Sequence, residues 1–128
     1  MSITASINGN IQLTDSVSGT IALKKLLAAL SMTGTEFTEA QSVSLASGSN
    51  AITVPLSPVL FCYVKNLHAT NTIQVIWTPN GGASATILTL QPGGSIMFCE
   101  PTTGSTGITA LNLTASGAAT TCEYVLAG

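Results

Sequence analysis

Few residues in this chain could do chemistry, and their spacing decides what they could do. The stretch LFCYVKNLHATNTIQVIW, residues 60–77, holds the only histidine, His68, the only tryptophan, Trp77, and one of three lysines, Lys65. A histidine that serves as general base or metal ligand needs a second His, a Cys or a carboxylate at workable spacing. The carboxylates nearest to His68 in sequence are Glu39 and Glu100, both some thirty positions away. Asn66 and Asn71 flank it instead, and such side chains bond their own backbone in turns. His68 therefore reads as an exposed residue of a hairpin between two central strands.

The other candidate chemistries fail on the same ground. Ser and Thr are abundant, but a nucleophilic triad would have to bring His68 and the single aspartate, Asp15, together from distant segments, and no G-x-S-x-G elbow is present. Glu36 and Glu39 are the only carboxylates close enough to suggest an acid–base pair, yet they share one extended stretch, with no second segment to form a cleft. The glycine pairs in NGG (80–82) and PGG (92–94) lack the lysine and the strand–loop–helix setting of a phosphate loop and read as turns. No Asp-rich loop is available for calcium. Cys62, Cys99 and Cys122 are odd in number and scattered, unlike a disulfide framework or a zinc-ligand set. Each sits in an apolar run, where a thiol behaves as a small hydrophobe, with pairing of two of them as the alternative. Trp77 on an alternating strand reads as core or interface, with sugar stacking as the rival role. The expectation is no catalytic residue, no cofactor and no metal.

The elements around these residues are short and extended. Thr, Val and Ile dominate, and Gly and Pro recur between short apolar runs, the pattern of an all-β sandwich or barrel. ITASINGNIQLT alternates around Asn8-Gly9, a strand or a narrow hairpin. TIALKKLLAALSM is ambiguous: Leu23, Leu26, Leu27 and Leu30 recur at helical spacing, with Thr20 to cap and Gly34 to stop a three-turn helix over 21–32. Its flanks, however, read as extended chain, so an irregular strand or arm fits equally.

From Gln41 onward eight runs follow: QSVSLAS, AITVPL, VLFCYVK, TIQVIWT, ATILTL, SIMFCE, ITALNLTA and TCEYVLAG. Eight short strands are the number of a jelly roll, two four-stranded sheets facing across an apolar core. GSN is expected to turn the chain between the first two. Alternation assigns Leu60, Cys62, Val64, Ile73, Val75, Ile96, Phe98 and Tyr124 to the interior and makes the strand at 59–65 central.

Composition narrows the functions further. At 128 residues the chain is one domain. Three lysines, no arginine and five acidic residues give a net charge of -2, with no basic surface to neutralise phosphates, so nucleic acid is not an expected partner. Charged residues make up 6% of the chain, against about 25% in ordinary soluble domains. A surface built of Thr, Ser, Asn and Gly is one that another subunit can bury at little desolvation cost. No apolar run of about 18 residues exists to span a membrane. MSITASINGN has neither a basic nor an apolar signal-peptide region, which predicts folding in the cytoplasm where the chain is made.

The order of landmarks is itself distinctive. TGTEFTEAQSVSLASGSNAITVP, then LFCYVKNLHATNTIQV, LTLQPGGSIMF and ITALNLTASGAATTCEYVLAG resembles a class of small tailed-bacteriophage virion proteins, over about residues 33–128. The shared marks are a strand ending in Lys65-Asn66-Leu67, a short turn with Thr70 and Asn71, a leucine-rich strand into Pro92-Gly93, and a terminal Glu123-Tyr124-Val125-Leu126 strand. ALKKLLAALSM departs from that pattern, because such proteins tend to stay extended and polar there. The resemblance implies a non-enzymatic structural protein of the virion, made in the host cytoplasm. Capsid decoration, or cement, is the leading expectation; a tail, neck or baseplate component is the alternative. A lectin-like host-recognition module, with Trp77, Tyr63 and Tyr124 stacking on sugars, is the rival from another class. The expected partners are other copies of the chain, as a trimer or ring, and the major capsid protein or other virion proteins. Residues 1–34 are read as an N-terminal strand and arm, and residues 35–128 as the sandwich.

Overall fold

β-Branched residues at alternate positions favour pleated, half-buried strands, and that is the form they take here. The structure, a computed structural model, describes residues 3–14, 21–34, 41–54, 58–99 and 107–128, with side chains over 41–54, 58–98 and 107–128. Among the described residues there are ten strands and no helix: β1 (Ile3–Thr14), β2 (Ile21–Gly34), β3 (Gln41–Leu45), β4 (Gly48–Ile52), β5 (Phe61–Asn66), β6 (Ile73–Pro79), β7 (Ala85–Leu90), β8 (Ser95–Cys99), β9 (Ile108–Ala115) and β10 (Thr120–Ala127).

Strands β3 to β10 form two antiparallel four-stranded sheets, ordered β3-β10-β5-β8 and β4-β9-β6-β7. The logic is that of one long hairpin rolled up. Its first strand pairs with its last (β3 with β10), the second with the seventh (β4 with β9), the third with the sixth (β5 with β8) and the fourth with the fifth (β6 with β7). Rolling then adds β10 to β5 and β9 to β6. This is the jelly roll that the strand count anticipated. Within the sandwich only β6 and β7 are consecutive strands of one sheet, so every other connection from β3 to β10 crosses between sheets.

The core follows from the pleat. Alternate residues of β5 and β9 are buried, and Cys62, Val64, Ile73, Val75, Leu90, Leu111, Leu113, Cys122 and Leu126 pack together between the sheets. Each fully buried aliphatic side chain contributes about 1.5–3 kcal/mol. Of the eight interior residues expected, Cys62, Val64, Ile73 and Val75 lie in this core, and Ile96, Phe98 and Tyr124 pack partly buried against it. Leu60 is buried in a smaller cluster with Ala127 and Phe61. Both β5 and β6 are central, as the alternation of β5 required.

Two open readings are decided in favour of strand, and two local expectations are corrected. Residues 21–32 are strand, not helix: β2 pairs along its length with β1, and those cross-strand bonds outweigh the leucines' weak helical preference. Asn8-Gly9 makes no hairpin turn; β1 runs through it, and the pairing register shifts between Ile7 and Gly9, a bulge. GSN is not the turn before the second strand but its beginning. The Asn50 amide donates to the carbonyls of Ala46, Gly48 and Leu113 and accepts from the Ala46 N–H, building the turn from inside β4. Finally, the segment after Asn66 is no hairpin, because β5 and β6 lie in different sheets.

The β1–β2 hairpin forms a two-stranded sheet of its own, hydrogen-bonded to neither sheet of the sandwich.

Candidate functional site

The sequence concentrates its polar chemistry at the β5–β6 connection, and there the structure builds a network. In the inward series Cys62, Val64, Asn66 of β5, the third residue is an amide and is fully buried. Asn66 Nδ2 donates to the Asn71 carbonyl at 2.8 Å and to the Leu90 carbonyl at the end of β7 at 3.2 Å. Its Oδ1 accepts the His68 N–H at 3.0 Å. Asn71 Nδ2 donates to Thr120 Oγ1 at 2.9 Å, and that hydroxyl donates to the Gly117 carbonyl at 2.7 Å. β5, the connecting turn, the end of β7 and the start of β10 are thereby tied together at one end of the sandwich. The backbone continues the tie: Asn66 N–H bonds the Gly94 carbonyl, and Gly93 N–H bonds the Asn66 carbonyl.

His68 has a part in this that its sequence context did not reveal. Its Nδ1 accepts the N–H groups of Thr70, at 3.2 Å, and Asn71, at 2.9 Å. The ring is partly exposed and closes the turn, so it is integral to the turn rather than incidental. The Nδ1 lone pair is thereby engaged within the turn.

Asp15, Glu36, Glu39 and Glu100 lie outside the described residues. Among the described residues, no group of three His, Cys, Asp or Glu side chains is placed to hold a metal ion, and every buried side-chain nitrogen and oxygen has a hydrogen-bond partner. Lys65 and Glu123 are cross-strand neighbours on central strands β5 and β10. Cys62 and Cys122 are buried free thiols on those same strands, in register with Leu126 and Asn66 respectively. Burial pushes Cys62 up to about 12 and Cys122 up to about 11, from an ordinary 9.0. Such thiols are poor nucleophiles at neutral pH. Cys99 belongs to β8, with its side chain outside the described set.

The aromatics sit largely against the core. Trp77 meets Phe98 of the opposite sheet edge-to-face, with ring centroids 5.3 Å apart and an angle of 61°. Tyr124 packs on the same core, and burial, then the neighbouring Cys122, raises its phenol above the ordinary value. Tyr63 points to the other face of β5, half-buried.

No family model matches the chain, and neither does any curated protein or solved structure.

Sequence reasoning placed Asn66 and Asn71 in the turn but missed Thr120 and Leu90 as their partners. The available signal was Asn66 itself: an amide at an inward position of a strand must be satisfied by something that strand faces.

Proposed function

We propose that this protein is a non-enzymatic structural component of a tailed-bacteriophage virion, a capsid decoration protein that stabilises the shell through repeated contacts between copies. The observation that carries the reading is architectural. The chain closes a jelly roll with residues 41–128 and sets a second, two-stranded sheet apart from it. A lone two-stranded ribbon is at best marginally stable in water, so it gains its stability from a surface it covers. The sandwich edges fit the same role. In the sandwich, Lys65 and Glu123, the charged residues among those whose side chains are described, lie on central strands, while β3, β4, β7 and β8 at the edges carry neither charge nor proline. Soluble β-proteins guard their edges with such residues to prevent association. The landmark resemblance supports the virion setting and the major capsid protein as the second partner.

The aromatics favour this role over a lectin. Trp77 and Tyr124 contribute to the core, which leaves them little face for a sugar ring.

The test is a phage lacking the gene for this chain. Its particles are expected to assemble and then to lose their DNA at a lower temperature than wild type, with resistance restored by adding the purified protein. Particles indifferent to both the loss and the addition would refute decoration.

A further inference from the structure

The two sides of the sandwich are closed to different degrees. On the β3–β4 side, Leu45 is 4% exposed, and Val43, Ile52 and Val54 pack against the core. On the opposite side, where edge strands β7 and β8 are neighbours, Ile87 is 38% exposed, Leu88 47% and Met97 47%. Leu67, in the β5–β6 turn, is the other large apolar residue exposed among the described ones. Leu88 is the informative case. It is in register with Val75, a fully buried core residue, so the pleat gives Leu88 an inward position, yet it opens to solvent. Beside it the register between β6 and β7 slips: Val75 faces Leu88 and Ile76 faces Thr86, leaving Ile87 as the extra residue of a bulge. Leu90 of β7 is buried and Ile96 and Phe98 of β8 pack on the core, so Leu88 is the inward residue left open there, and the bulge, which re-aims side chains, adds a second large apolar residue beside it.

The ribbon has the complementary deficiency. Positions 3, 5, 7, 9, 11 and 13 of β1 share a face and read Ile, Ala, Ile, Gly, Ile, Leu; the alternate positions 4, 6, 8, 10, 12 and 14 read Thr, Ser, Asn, Asn, Gln, Thr. The register carries the division onto β2. Ala5, Ile7, Gly9 and Leu13 pair with Met32, Leu30, Leu27 and Leu23, whereas Thr4, Ser6 and Gln12 pair with Thr33, Ser31 and Lys24; two apolar residues, Leu26 opposite Asn10 and Ile21 opposite Thr14, fall with the polar series. One charge falls on the apolar face, Lys25 opposite Ile11. The ribbon is thus amphipathic over about 40 Å, twelve residues at the rise of a strand.

Polarity of the chain says where that face goes. The ribbon joins the sandwich through residues 35–40 at β3, on the closed side, while the open side lies across the sheet at β8 and β7. A link of that length reaches about 20 Å when fully extended, enough to carry the ribbon clear of its own sandwich to the open side of a neighbour placed head to tail. The geometry points to a second copy of this chain as the occupant of the β7–β8 side, covering Ile87 and Leu88 with the apolar face of its β1–β2 ribbon. Donor and acceptor are then different surfaces, a heterologous contact that closes into a ring when the rotation permits. This inference rests on the assembly reading above and specifies its interface.

The experiment is complementation in sedimentation velocity with full-length chains. A donor-broken variant carries Ile7→Asp and Leu30→Asp, cross-strand partners on the apolar ribbon face; an acceptor-broken variant carries Leu88→Asp. Wild type is expected to form a discrete ring. Each variant alone is expected to sediment as a monomer, its dissociation constant raised about 30-fold or more by loss of a central apolar contact. An equimolar mixture is expected to give a heterodimer and nothing larger, because it holds one intact donor and one intact acceptor. Trp77 emission and circular dichroism confirm folding, and Ile87→Asp at the exposed bulge replaces Leu88→Asp if the latter does not fold. A wild type that stays monomeric at micromolar concentration overturns the assembly reading and this inference together. A ring that survives either variant overturns the inference alone. Two monomeric variants that fail to complement would show that each surface pairs with its own kind, which also overturns it.

Discussion

Replacing Asn66 by alanine should be among the most damaging single changes in the sandwich, although no apolar packing is lost. The Asn66 amide makes three hydrogen bonds, to the Asn71 and Leu90 carbonyls and from the His68 N–H, in a fully buried position. A net contribution of about 1 kcal/mol each gives a loss of about 3 kcal/mol, a shift of roughly 100-fold in the folding equilibrium. For a domain of this size that corresponds to a fall in Tm of about 12–24 °C. Urea denaturation followed by Trp77 emission reads it as a lower midpoint at unchanged slope. Asn66→Asp separates hydrogen bonding from volume. It keeps the shape but turns the donor that faces two carbonyl oxygens into an acceptor, so it should cost at least as much as alanine. A loss below about 1 kcal/mol for Asn66→Ala, or an aspartate variant as stable as wild type, would refute the view that this amide ties the end of the sandwich together.

Other consequences are open to direct measurement. His68→Ala should cost about 1 kcal/mol, because the Thr70 and Asn71 N–H groups lose their shared acceptor and regain only water; thermal unfolding checks it. Gly107→Ala should destabilise by more than about 1 kcal/mol, since φ is +91° and the added Cβ would run into the Val59 carbonyl oxygen; urea titration reads it. Cys62 and Cys122 should resist a thiol reagent at pH 8 until the protein unfolds. Their folded values of about 12 and 11 exceed the ordinary 9.0, so the folded state holds protons that the unfolded state releases. Their contribution to stability is full below about pH 9 and declines as pH rises towards 12, which urea midpoints taken between pH 8 and 11 would record. Phe98→Leu should cost about 1 kcal/mol through the lost edge-to-face contact and shift Trp77 emission to the red.

Much of the sandwich was legible because its strands alternate cleanly. Cys62 and Val64, or Ile73 and Val75, declare an inward face at a period that only a strand has, and one face of each is buried. What was not legible depended on partners. The leucines of β2 fit helical spacing as well as they fit a ribbon, and β1 decides between the two by pairing with β2. Asn66 and Asn71 were readable as turn residues, but the turn spans two sheets, and only the rolled topology brings Leu90 and Thr120 within reach of their amides. His68 was dismissed for want of a neighbouring carboxylate, while its real partners are backbone N–H groups, which sequence does not display. The Asn8-Gly9 pair shows the same limit: its tolerance of unusual backbone angles serves a bulge as readily as a turn. The open side of the sandwich was hidden altogether, since Leu88 looks like any inward leucine until the neighbouring edge fails to cover it.

The central claim is that this chain is a repeated building block of a phage shell, and counting it tests that claim most directly. Quantitative mass spectrometry of purified virions, with the major capsid protein as internal standard, gives copies per particle. The account predicts copies in the hundreds, in a fixed simple ratio to the major capsid protein. A count of about six or twelve, the number of a single ring at the neck or tail, or the absence of the chain from the virion, would contradict it.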